Sequence, residues 1–173
     1  MAEKTFIESE MTFGPYDEKH VFHIEESPQY TAINRDGVKC CEFLLKKEQK
    51  ILFVEAKKSC PNHNAREDSE YNSMKYYDYI SEIAEKMRHS LDLYASILLN
   101  RQTQNGVSED MLETDLSGYE LILILVVKTA EKEWLYPYID IFKEKLRPEM
   151  QVWNIKSFLV INEETARIKG LVS

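Results

Sequence analysis

The chain has 173 residues, of which 43% are hydrophobic and 30% charged; this is the size and balance of one globular domain with its own core, and five Gly and five Pro are too few for a fibrous or disordered chain. The formal net charge of −8 argues against a nonspecific nucleic-acid coat or a basic membrane binder. The longest apolar run, residues 121–127, falls far short of the roughly 20 residues a membrane helix needs; with no apolar signal-peptide core near Glu3, Glu8 and Glu10 and only three cysteines, this leads us to expect a cytoplasmic chain with reduced thiols and no membrane contact.

Residues 1–19 show no clear periodicity, with a turn signal at Gly14-Pro15. A short strand is predicted near 21–24. A short helix follows, capped by Ser27 with Pro28 at its first position and ending near Asn34. Residues 38–46 and 51–57 read as two strands joined in a hairpin by the polar segment 46–50. A polar loop covers 59–69. From Glu70 to about Asn100, Tyr77, Ile80, Ala84, Met87, Leu91, Tyr94, Ala95 and Leu98 recur at helical steps. Residues 101–118 are a polar connection, a functional flap or a mobile loop, partly helical near Met111-Leu112. Residues 119–128 form a strand apolar on both faces, as in a central, partly parallel position. A helix over 133–146 stops at Pro148, a strand spans 157–161, and Asn162 caps a last helix ending at Gly170. This order predicts a single α/β domain over 1–173, with its core at about 20–161. A mixed central β-sheet is flanked by helices, and the long helix provides a right-handed crossover.

Charge is unevenly spread. Residues 39–58 hold six lysines against three glutamates, a local +3 that leaves −11 for the rest of the chain. Within this stretch Glu55 and Lys57 point to the same side of their strand, because side chains alternate. The hairpin register can bring Glu42 to that same face. Two carboxylates and an ammonium then converge at the end of apolar strands. Burying them is costly without compensation, and close carboxylates repel. A hard divalent cation such as Mg²⁺ or Mn²⁺ would relieve both problems.

Glu42, followed by Ile51-Leu52-Phe53-Val54-Glu55-Ala56-Lys57, resembles the PD-(D/E)xK signature of restriction-endonuclease-like nucleases. The resemblance covers about residues 25–127 and implies an αβββαβ core. It implies that Glu42 and Glu55 hold Mg²⁺ or Mn²⁺ and that Lys57 positions the attacking water. Glu26, or else Glu25, would supply the acid that the family often adds from its first helix. Glu42 stands where the family usually has aspartate, and Cys41 rather than Pro precedes it. The implied activity is metal-dependent hydrolysis of nucleic acid, DNA ahead of RNA, with an oligomer or protein partner helping to hold the substrate. The alternative is a catalytically inactive member of the fold that serves as a protein-interaction or assembly module. Motivating it is the −11 outside the hairpin.

Lys46 and Lys58 are further candidates for phosphate contacts. Tyr71, Tyr76, Tyr77 and Tyr79 could stack bases, although at helical spacing aromatics more often form core and rim. His20 and His23 would face opposite sides of a strand and make a poor metal pair. Cys60 and His63 lack the second ligand pair that a structural zinc site wants.

Overall fold

The computed structural model describes residues 2–173. Strands β1 (Glu3–Glu8) and β2 (Met11–Asp17) form an antiparallel hairpin where the sequence shows no period. A register shift between Lys4 and Phe6 breaks the alternation. Met11, Phe13 and Tyr16 all point into the body. Gly14 has φ +99°, and a Cβ there would lie 2.6 Å from the Lys4 carbonyl, so only glycine fits.

Strand β3 (Val21–Phe22) leads into a 3-10 turn over Ile24–Glu26 and helix α1 (Pro28–Ile33). Ser27 caps α1 by accepting from the Tyr30 N–H. Strands β4 (Phe43–Lys47) and β5 (Lys50–Lys57) form the expected hairpin, turning at Glu48 with φ 56°. Strand β4 begins at Phe43, five residues later than expected. The Cys41 N–H donates to Ser90 Oγ, so residues 38–42 leave the ladder, while the Glu42 N–H still donates to the Val54 carbonyl.

Helix α2 (Glu70–Leu98) is the long crossover, capped by Ser69. Residues 101–118 carry the short α3 (Glu109–Leu112) and pack onto the body. Gln29 donates to the Thr103 and Asn105 carbonyls, the Tyr94 hydroxyl donates to the Met111 carbonyl, and Met111 is fully buried. Strand β6 (Glu120–Val127), helices α4 (Lys132–Lys145) and α5 (Arg147–Val152), strand β7 (Ser157–Asn162) and helix α6 (Glu163–Ile168) complete the chain. Pro148 does not end the helical region. It sits in the first turn of α5, where its missing N–H costs nothing.

The main sheet has the order β3-β4-β5-β6-β7. Strands β3, β4 and β5 are antiparallel neighbours, whereas β6 and β7 run parallel to β5. The fold is therefore α/β with a five-stranded mixed sheet. Alternation sorts β5 and β6 cleanly. Ile51, Phe53, Leu121, Leu123 and Leu125 join the core under α2 and α4. Leu52, Val54, Ala56, Ile122 and Ile124 join a second core under the N-terminal hairpin and α6. The structured body thus extends beyond residues 20–161 at both ends. Among the described residues no helix is long and apolar enough to cross a membrane.

Candidate active site

Three parts of the chain meet at the end of β5 beneath α2. Register pairs Phe43 with Val54, so the next position sets Glu42 opposite Glu55, on the face that carries Phe53 and Leu44. Glu55 is fully buried and Glu42 is 6% exposed. Lys57 follows Glu55 on the same face, with its Nζ 3.4 Å from Glu55 Oε1. It reaches the rim and pairs with Glu82 of α2 at 2.8 Å. The structure thus brings Glu42, Glu55 and Lys57 together.

The acid from the first helical region is Glu25 rather than Glu26. Ile24 is buried within the 3-10 turn, and the Glu25 N–H donates to the Glu42 carbonyl at 3.4 Å, which directs Glu25 at the cluster. Glu26 is 74% exposed in its side chain and instead meets His23 Nδ1 at 3.3 Å. Lys46 and Lys58 also lie apart from the cluster. The Lys46 ammonium binds Asp110 at 2.8 Å and is not free for phosphate, while Lys58 pairs with Glu10 on the surface.

One participant is absent from the sequence expectation: Lys86 of α2. Its Nζ lies 3.0 Å from Glu55 Oε1, 3.3 Å from Glu25 Oε1 and 3.9 Å from Glu42 Oε1. An ammonium therefore occupies the centre of three carboxylates. Lys86 shares the inward side of α2 with Ile83, Met87 and Ser90, all buried. A lysine inside that apolar stripe was the available signal.

Protonation follows burial and neighbours. Burial, the adjoining Glu25 carboxyl and the Glu55 charge push Glu42 well above the usual carboxylate range. Burial likewise pushes Glu55 up to about 7, although Lys86 and Lys57 pull the other way. For Glu25 burial opposes ionisation, but the hydrogen bond with Glu42 and the Lys86 charge outweigh it and hold the group low. Burial works against the Lys86 ammonium too, yet Glu55, Glu42 and Glu25 together keep it firmly charged. The group resembles a cation site held by an internal cation.

Donor atoms remain to be satisfied. Glu42 Oε2 is buried without a hydrogen-bond partner. Glu55 Oε1 has ammonium neighbours but no aligned hydrogen bond. Hard carboxylate oxygens in this state fit Mg²⁺ or Mn²⁺, provided Lys86 yields its place. Of the tyrosines, Tyr76 is core, while Tyr71 and Tyr77 are more than half exposed. His63 Nδ1 is paired with the Tyr76 hydroxyl at 2.7 Å. Burial pushes the Cys40 thiol up to about 12 and makes it inert.

With this geometry in view, comparison of the chain with protein-family models, curated proteins and solved structures finds no match in any of the three.

Proposed function

We propose that the protein is a metal-dependent nuclease of the restriction-endonuclease-like kind, hydrolysing phosphodiester bonds in DNA rather than RNA. The observation that carries this reading is the convergence of Glu25, Glu42 and Glu55 on one cation locus with Lys57 at its rim. The meander β3-β4-β5, the crossover α2 and the parallel strand β6 match the order βββαβ. A departure from the αβββαβ pattern is that α1 falls between β3 and β4.

Glu42 and Glu55, with Glu25 beside them, would hold the Mg²⁺ or Mn²⁺. The bound ion supplies Lewis-acid polarisation of the scissile phosphate and a more acidic water. Lys57, steadied by Glu82, donates from Nζ to the attacking water and to the negative charge growing on phosphorus-bound oxygen.

Incubation of the full chain with single- and double-stranded DNA and RNA plus Mn²⁺ tests the reading. Cleavage is expected, and Lys57→Ala should slow it by about 10²- to 10³-fold, the range for removing one donor that stabilises developing negative charge. Absence of cleavage by the wild type, or cleavage by the variant at the wild-type rate, overturns it.

A second reading rests on Lys86. If its ammonium permanently fills the cation locus, the fold is a non-catalytic module that binds a protein partner through its acidic surface. A Mn²⁺-binding event in calorimetry that vanishes in Glu55→Ala counts against this alternative.

A further inference from the structure

On its other side Glu42 faces a second group of donors that the nuclease reading does not use. Glu8 at the end of β1, His23 after β3 and Glu42 before β4 each offer one ligand atom, and the three atoms lie within 4.8 Å of one another. His23 Nε2 is 2.9 Å from Glu8 Oε1. That is the spacing of two adjacent ligands on an ion with bonds of about 2.1 Å, whose octahedral edge is about 3 Å.

The contact is close without being an aligned hydrogen bond. His23 Nε2 has no hydrogen-bond partner, and neither has Glu42 Oε2. His23 is 7% exposed, so both are polar atoms withdrawn from water and left unsatisfied. The rest of the imidazole is held in place. Phe6 stacks on the ring with centroids 4.7 Å apart. Glu26 approaches Nδ1 at 3.3 Å. The ring is thus placed with Nδ1 beside Glu26 and Nε2 on the side of Glu8 and Glu42, and a carboxylate near the outer nitrogen is a common companion of a metal-binding histidine.

We propose that Glu8, His23 and Glu42 form a binding site for a divalent first-row transition metal of the Mn²⁺ class, favoured over Mg²⁺. The choice follows from the donors. Carboxylate oxygens serve Mg²⁺ and Mn²⁺ alike, but an imidazole nitrogen suits transition metals. His23 and Glu26 stand in the wall of a cleft of about 760 Å³, which Glu8 does not line. None of Glu42, Glu55 or Lys57 lines that cleft. This site stands whether or not the Glu55 side cleaves nucleic acid. It also gives Glu26 a role, as the residue that orients His23.

Titration of Mn²⁺ into the full chain, followed by electron paramagnetic resonance, tests the site. Bound Mn²⁺ in the wild type should show coupling to a histidine ¹⁴N nucleus, and millimolar Mg²⁺ should fail to remove it. Glu55→Gln should keep the signal. His23→Gln should abolish it, and Glu8→Gln, on the partly exposed hairpin, should weaken binding at least tenfold. Melting of each variant without metal checks folding, and Glu8→Gln serves if His23→Gln is unfolded. Binding without ¹⁴N coupling, no binding at millimolar Mn²⁺, or unchanged affinity in both variants overturns the proposal. Coupling without cleavage sinks only the nuclease reading; cleavage without coupling sinks only this one.

Discussion

Two ion networks lie within a few residues of each other at the end of β5, and they differ in almost everything except charge type. On the surface, Glu10 binds Lys58 at 2.6 Å and Lys128 at 3.3 Å. Both lysines directly follow a parallel strand. Inside, Lys86 is ringed by Glu25, Glu42 and Glu55. The outer group is solvated, so its pairs can open and close at little cost. In the inner group Lys86, Glu42 and Glu55 are buried and only Glu25 keeps some contact with water, so each charge depends on the others. Counting charges along the sequence marks Lys58 of the outer group; burial marks Lys86 of the inner one.

Variants graded by burial would break or sharpen this contrast. Lys86→Met should have the largest effect. Removing one partner of a buried ionic group typically costs about 3–5 kcal/mol at neutral pH, read by denaturant unfolding. Adding Glu55→Gln should return part of that loss, because one stranded carboxylate is then neutral. An Lys86→Met protein as stable as the wild type would mean that the inner network is not coupled.

The Lys46–Asp110 pair is intermediate. The Lys46 ammonium, 2.8 Å from Oδ2, holds the Asp110 carboxyl below the usual aspartate range. A carboxylate lowered in the folded state adds stability above its unfolded value of about 3.9 and loses it as the pH falls through the folded value. Lys46→Met should therefore cost about 0.5–1 kcal/mol at pH 7, allowing for solvent screening. The difference from wild type should close as the solution is acidified below about pH 4. A gap that persists in acid would assign the loss to packing of the lysine stem.

Glu10→Gln should have the smallest effect. Any change in its melting midpoint should disappear near 1 M salt, where the screening length is about 3 Å. A salt-independent loss would place Glu10 among the structural residues.

The elements built on a single period were legible in the sequence. The stripe from Ile80 to Leu98 gave α2, the apolar run of β6 gave a central strand, and Ser27 and Asn162 marked two helix starts. The N-terminal hairpin was not, because its register shift destroys the alternation that reveals a strand. The start of β4 was misplaced because the Cys41 N–H turns to Ser90, a partner 49 residues away. The same division runs through the site. Glu42, Glu55 and Lys57 belong to one hairpin, so spacing and alternation suffice to place them on one face. Glu25 and Glu26 are neighbours in a 3-10 turn, and only the buried Ile24 decides which of them faces inward. Glu8 and His23 come together through tertiary packing, and no local pattern joins them.

The parallel pairing of β5 with β6 carries a kinetic consequence. Lys50 meets Glu120 and Lys57 meets Val127 across the whole of α2 and the segment that follows it. Such pairing waits on the closure of a long loop, whereas the β4–β5 hairpin closes locally. Early in folding, the hairpin would display Glu42 and Glu55 to water with Lys57 as their only near ammonium. Docking of α2 then desolvates the acids and delivers Lys86 in the same event. The step that buries the charge is also the step that neutralises it.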